Sequence, residues 1–325
     1  MRSKNLTHTV AQHGISTFVG DTNKAIVSLE SSDQSYSPLT LCNLGEMPTA
    51  PIKITPQVIT ALGGNPQQVF KAAGIDLHAF INDHEQRLGY NEISRLFNTA
   101  IQHTQCSSIG ILVGLGFSLK NLGPIGQLML SASTVEEALH DLVTHSKLHD
   151  RGGAPLLLPL NDQLSLLGYV IHSHDVIDPR SLIDVLIMIG FQTLRELLGP
   201  DWTPVRVQLA YHKPPDSAAY ARVFRCPVQF NANVSGLVVS TPKLGQKLKT
   251  AKPLAGQKRS FRVYQIMGDS NIALVARVDL VAMTRSLVAY RQAVAMPRFS
   301  PWRSRGAGND GAPWSPPAGG SGIGR

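Results

Sequence analysis

PRSLIDVLIMIGFQTLRELL, from Pro179 to Leu198, is the stretch on which the fold turns. Leu182, Ile183, Leu186, Ile189, Gly190, Thr193, Leu194 and Leu197 recur at helical spacing, and Gly199-Pro200 ends the run. A helix with such a stripe has to bury it against another element. The residues just before it supply a partner. Leu156 to Leu160 and Leu164 to His172 read as two strands joined at Asn161-Asp162, a hairpin signal. After the helix, Val205 to Tyr211 alternates as a strand and Ala218 to Phe224 is a short helix. Val228 to Phe230 and Leu237 to Val239 are strands flanking a turn.

Working towards the N-terminus, Thr134 caps a helix, with Glu137 at the capping-box spacing and Ala138, Leu139, Leu142 and Val143 on its apolar face. The glycine-punctuated run SSIGILVGLGFSLKNLGPIGQLMLSAS precedes it. Asn91 to His103 puts Ile93, Leu96, Phe97, Ala100 and Ile101 on one helical face. ITPQVITALGGNPQQVFKAAGI reads as two short helices broken at Gly63-Gly64-Asn65-Pro66. These elements predict an α+β fold from about Pro51 to Leu248: a helical N-terminal part, and a small, mostly antiparallel sheet packed against a long helix.

The flanks read differently. Residues 1–46 are polar and lack periodicity, so they are a disordered extension or a leader upstream of a true start at Met47. Residues 47–248 form the expected domain, and 249–296 a basic linker followed by helical character from Asn271 to Tyr290. Residues 297–325 are dominated by Gly, Pro, Ser and Arg, a composition of disorder.

The 325 residues are 43% hydrophobic and only 16% charged, enough for a sizeable core. The formal charge is +8, but half of it lies beyond Tyr290, where five Arg face one Asp. The body therefore carries no obvious phosphate-binding stripe. Cys42, Cys106 and Cys226 are too sparse for a disulfide framework or a zinc knuckle and suit a reducing compartment. Apolar runs such as Ile109 to Phe117 fall well short of the roughly 18 residues a membrane span needs. The expectation is a cytoplasmic protein with no membrane partner.

Candidate chemistry is thin. His172, His174 and Asp175 form an H-x-H-D group at a strand end, where alternate positions share a face that a metal could use. A polar strand end is the favoured reading, so no metal is expected. His145 and His149 share a face at i, i+4, with Asp141 and Asp150 nearby, and a solvated helix face is favoured there. Ser107, Ser108 and Ser131 lie in no G-x-S-x-G elbow. Gly110, Gly114, Gly116, Gly123 and Gly126 form no nucleotide-binding fingerprint, and close backbone packing explains them better. No paired carboxylates are placed for acid–base work, so neither an enzyme nor a cofactor is expected.

Several segments together resemble the N-terminal, arabinose-binding-like sensor domain of AraC-type transcriptional regulators. Leu122, Gly123 and Gly126 match its L-G-x-x-G. Ser131, Thr134, Glu137, Ala138 and Leu139 match the helix start that follows. His212 and Pro215 match a strand ending in H-x-x-P. Tyr220, Phe224, Cys226, Pro227, Val228 and Phe230 match a Y-x-x-x-F-x-C-P-V-x-F run, and Leu237 opens the last strand. The order and spacing carry the resemblance, which covers about 200 residues.

The resemblance implies a small-molecule effector, a homodimer and a population shift rather than catalysis. Pockets in such sensors are mostly apolar with a few polar groups. Tyr169, His172, Tyr211, His212 and Tyr220, polar-tipped residues beside the expected sheet, are the candidate effector-binding residues. The family's helix-turn-helix domain would follow, and its text is not recognisable after residue 248. Asn309-Asp310-Gly311, read one base later, encodes Met or Thr twice and then Val, Ala, Glu or Gly, close to the family's first helix-turn-helix. The expectation is an effector-sensing and dimerisation domain lacking an intact DNA-binding domain, which is missing or frame-shifted near Arg291. DNA would be a partner only if that domain is restored. The alternative is a free-standing small-molecule-binding module that modulates an intact regulator.

Overall fold

The computed structural model describes residues 43, 45–172, 176–215 and 217–248. The expected leader, basic linker, C-terminal helix and tail lie outside the described residues, as do His174 and Asp175. The described chain is α+β.

It opens with a short strand β1 (Glu46–Pro48), a 3-10 turn (Ala50–Ile52) and three short helices, α1 (Thr55–Ala61), α2 (Pro66–Ala72) and α3 (Leu77–Asn82). The Gly63-Gly64-Asn65-Pro66 break is where α1 gives way to α2. The Asn65 side chain accepts from the Gln68 N–H at 3.2 Å and Pro66 takes the first helical position. β2 (Arg87–Gly89) pairs antiparallel with β1 and leads into α4 (Tyr90–Thr104), the helix expected over 91–103.

The glycine-punctuated run contains two helices, α5 (Ile109–Leu115) and α6 (Pro124–Leu130), around a 3-10 turn at Leu119–Leu122. α7 (Val135–His145) follows, with the Thr134 hydroxyl accepting from the Glu137 N–H at 3.2 Å. The Glu137 carboxylate reaches one residue further back than a capping box requires and accepts from the Ser133 N–H at 2.7 Å. A 3-10 turn (Ser146–Leu148) then leads to β3 (Gly153–Pro159) and β4 (Leu164–Ile171), paired antiparallel as expected.

The long helix is α8 (Arg180–Leu198). After it come β5 (Arg206–Gln208), α9 (Ala218–Phe224), β6 (Val228–Gln229), β7 (Ser235–Ser240) and α10 (Thr241–Leu244). The five-stranded sheet has the order β3-β4-β7-β5-β6 and is antiparallel except for the β5–β6 pair. At its far end the described chain returns to α7: the Val135 N–H donates to the Gln246 carbonyl at 3.1 Å, and the Leu248 N–H to the Ser133 carbonyl at 3.1 Å.

Two cores form, and α8 runs through both. Leu182, Val185 and Leu186 join a core built from α1 to α5, with Val58, Phe70, Ile93 and Phe97. Met188, Phe191, Leu194 and Leu197 join a core built from the sheet, α6, α7 and α9, with Leu139, Leu237 and Phe224. Burial on α8 is therefore wider than the single stripe read from the sequence, because Val185, Ile187, Met188 and Phe191 are buried on its other sides. α5 lies against α8 at two glycines. A Cβ on Gly110 would stand 2.2 Å from the Ser181 carbonyl oxygen, and one on Gly114 2.3 Å from the Met188 Cβ. Close backbone packing is thus the reason for both glycines, as expected from the sequence.

Candidate functional site

The turn after α7 brings a carboxylate into the interior. The helix stops at His145, and the 3-10 turn carries the chain inward so that the Asp150 N–H donates to the Ser146 carbonyl at 2.7 Å. His145, His149 and Asp150 are all buried. The expected solvated helix face is therefore corrected: His145 is buried at the last position of the helix, and the turn that carries His149 and Asp150 packs inside.

Asp150 is held from three elements. The Tyr90 hydroxyl, at the start of α4, donates to its Oδ2 at 2.7 Å. The Tyr169 hydroxyl, from β4, donates to the same oxygen and lies 2.9 Å from the Tyr90 hydroxyl. The Gly152 N–H donates to Oδ1 at 2.9 Å. Gly152 and Gly153 let the two rings close over the turn: a Cβ on either would meet the Tyr90 or the Tyr169 ring at 2.4 Å. Burial pushes the Asp150 carboxyl above the usual carboxylate range, against the pull of the two tyrosines and the backbone of Gly152 and Gly153. Burial, then the Asp150 charge, pushes the Tyr90 hydroxyl well above its ordinary value. His149 is pushed down to about 4, first by burial and then by the Arg87 charge, so its imidazole is neutral at pH 7.

This polar corner closes one part of a cavity of about 70 Å³. Met47 and Pro51 line it from the N-terminal segment, Leu122 and Ile125 from around α6, and Leu142, Ser146, His149 and Asp150 from α7 and its turn. β3 adds Pro155, β4 adds Leu167, Gly168 and Tyr169, and β7 adds Leu237. α8 contributes Leu186, Ile187, Ile189 and Gly190. The cavity is the seam between the two cores, since Met47 and Leu186 belong to one and Leu122, Leu167 and Leu237 to the other.

A second carboxylate, Asp184 on α8, has a similar cage. The Tyr220 hydroxyl donates to its Oδ2 at 2.8 Å, and the Tyr211 hydroxyl donates to Oδ1. Burial pushes Asp184 up to about 7, against the two tyrosines and the Arg180 charge. Burial also pushes both phenols above their ordinary value.

The five residues singled out from the sequence are thus dispersed. Tyr169 lines the cavity. Tyr211 and Tyr220 close on Asp184 instead. His172 follows β4, its N–H donating to the Gly152 carbonyl at 2.9 Å, and His212 is exposed; neither lines the cavity. Sequence reasoning missed Ser146, His149 and Asp150 as cavity residues. The available signal was Gly152-Gly153, beginning two residues after Asp150, a pair that marks close approach of other groups to the turn. Among the described residues, no cluster of His, Cys, Asp or Glu could hold a metal ion, and no helix is long and apolar enough to cross a membrane.

The described residues thus form an α+β domain with two cores and a largely apolar cavity between them. Residues 63–248 match the family model described as the arabinose-binding domain of AraC transcription regulators, N-terminal. The chain belongs to this family. No curated protein matches the chain. Among solved structures, it is similar to the transcriptional regulator CdpR from Pseudomonas aeruginosa, at 18% identity and a TM-score of 0.44, over 72% of this chain and 70% of that one. That likeness is too distant to bear on function.

Proposed function

We propose that residues 45–248 are the effector-sensing part of an AraC-type transcription regulator, and that the cavity between the two cores binds the effector. The observation that carries this reading is the position of the cavity. Its walls come from both cores, and α8 belongs to both. A ligand seated there touches Met47 and Leu186 on one side and Leu122, Leu167 and Leu237 on the other. It therefore favours whichever relative arrangement of the cores fits it, which is how binding energy becomes a signal. The role is regulatory rather than catalytic, because the one carboxylate in the cavity is occupied by Tyr90, Tyr169 and Gly152. Homodimerisation, as the means of passing that signal on, is part of the proposal.

The test is thermal unfolding of the whole chain against a metabolite collection. A ligand of the folded state at a hundred times its Kd stabilises by about 2.7 kcal/mol. The reading expects at least one compound to raise Tm in the unmodified chain and to lose that effect when Gly190→Leu fills the cavity. Compounds that stabilise both forms equally would place the effector elsewhere.

A further inference from the structure

The lining of the cavity says what kind of molecule it takes. Its polar side chains, Ser146, His149, Asp150 and Tyr169, come from one turn and the strand residue bonded to it. Much of that polarity is already used. The Ser146 hydroxyl donates to the Val143 carbonyl at 3.3 Å, and Asp150 accepts from Tyr90, Tyr169 and the Gly152 N–H. The other lining residues are glycine or carry apolar side chains. A sugar presents hydroxyls around its whole ring, and each one buried without a partner is penalised. This cavity has partners at one end only.

Charge narrows the class further. Among the described residues lining the cavity there is no Lys or Arg. Arg87 is close enough to depress His149 but does not line the cavity. A carboxylate or phosphate head would be stripped of water beside Asp150 with no counter-charge on the wall.

Gly190 adds an independent observation. A glycine in the middle of a 19-residue helix is unfavourable, and no close contact requires it at Gly190. A Cβ there would meet Leu237 and Leu167 at 3.5 and 3.6 Å, ordinary contact distances, whereas Gly110 and Gly114 have no such room. Gly190, Leu167 and Leu237 all line the cavity. The missing side chain at Gly190 leaves space in the apolar wall.

We infer that the effector is a largely hydrocarbon molecule with one uncharged hydrogen-bonding head, such as an alcohol, ketone or amide, and that Gly190 sets how bulky its apolar body can be. The head lies at the Ser146–Tyr169 end and the body runs along α8. This inference rests on the cavity being the effector site.

Isothermal titration calorimetry of the whole chain with 1-octanol, octanoate at pH 8 and L-arabinose tests it. The expected result is saturable binding of 1-octanol, at least about tenfold tighter than octanoate, with no binding of L-arabinose. Gly190→Leu should weaken 1-octanol by about tenfold or more through loss of space. Gly190→Ala, whose methyl fits, should weaken it less and should unfold as cooperatively as the unmodified chain. Octanoate binding as tightly as 1-octanol overturns the uncharged head. L-arabinose binding that Gly190→Leu abolishes overturns the hydrocarbon class while leaving the cavity as the effector site. Failure of 1-octanol to bind overturns the class as well, and the metabolite screen still decides the cavity on its own. Equal binding of 1-octanol to the unmodified chain and to Gly190→Leu overturns both.

Discussion

The Tyr90 hydroxyl donates to the Asp150 carboxylate at 2.7 Å across 60 residues of chain, tying the start of α4 to the turn that follows α7. The two residues come from different halves of the fold, and the bond between them sits at the edge of the cavity. Tyr90→Phe keeps the ring that packs on Gly152 and removes one donor from a buried carboxyl group. The expected cost is about 1–3 kcal/mol, read as a lower urea midpoint. An unchanged midpoint would mean that the bond contributes nothing to holding the turn.

The glycines of α5 and α8 should respond to the same substitution with opposite signs. Gly110→Ala drives a methyl into the Ser181 carbonyl and the Asp184 Cβ, 2.2 and 2.8 Å away, and should destabilise by about 1–3 kcal/mol. Gly190→Ala meets nothing closer than 3.5 Å and removes a mid-helix glycine, so it should stabilise by about 0.5–1 kcal/mol. Denaturation of the two variants side by side checks this. Two shifts of the same sign would contradict the description of the α5–α8 contact.

Asp184 and His149 predict opposed pH dependences. The Asp184 carboxyl is raised from 3.8 to about 7, so folding takes up a proton between those values and stability falls as pH rises through them. Asp184→Asn removes that fall, and its stability relative to the unmodified chain should grow from pH 4 to pH 7. His149 is lowered from 6.5 to about 4, so folding expels a proton and stability rises with pH over that interval. His149→Gln should remove that rise. Unfolding curves that stay parallel to those of the unmodified chain across the window would show that neither group titrates as its burial implies.

Thr134→Ala removes the N-cap of α7, where the hydroxyl accepts from the Glu137 N–H. The expected loss is about 1 kcal/mol, measured as a lower Tm. Because α7 ends in the turn that carries His149 and Asp150, the variant should also weaken effector binding. A loss of stability with affinity unchanged would separate the start of α7 from the site.

Local signals explain why much of the fold was legible. α8, the β3–β4 hairpin, α9 and the α1–α2 break each carry their own periodicity, cap or turn residues, and these need no distant partner to be read. α5 and α6 were hidden because Gly110, Gly114 and Gly126 look like breakers in isolation. Their reason is a neighbouring backbone: Ser181 for Gly110 and Leu119 for Gly126. The cavity was the least legible part. Tyr169 was reachable as a polar-tipped strand residue, but Asp150 belongs to a run of His and Asp that reads as wet. Its burial is set by Tyr90, 60 residues upstream, and Tyr169, 19 residues downstream, which no local pattern contains. Tyr211 and Tyr220 illustrate the converse, because their hydroxyls turn to Asp184, a carboxyl buried on the long helix α8.

A small molecule is proposed to bind between the two cores and to be felt by both. Amide hydrogen exchange on the whole chain, with and without a compound that raises Tm, tests this most directly. Added protection is expected in both β1, which brings Met47 of one core to the cavity, and β4, which brings Leu167 of the other, with loss of both effects in Gly190→Leu. Protection confined to one core, or retained in Gly190→Leu, would contradict it.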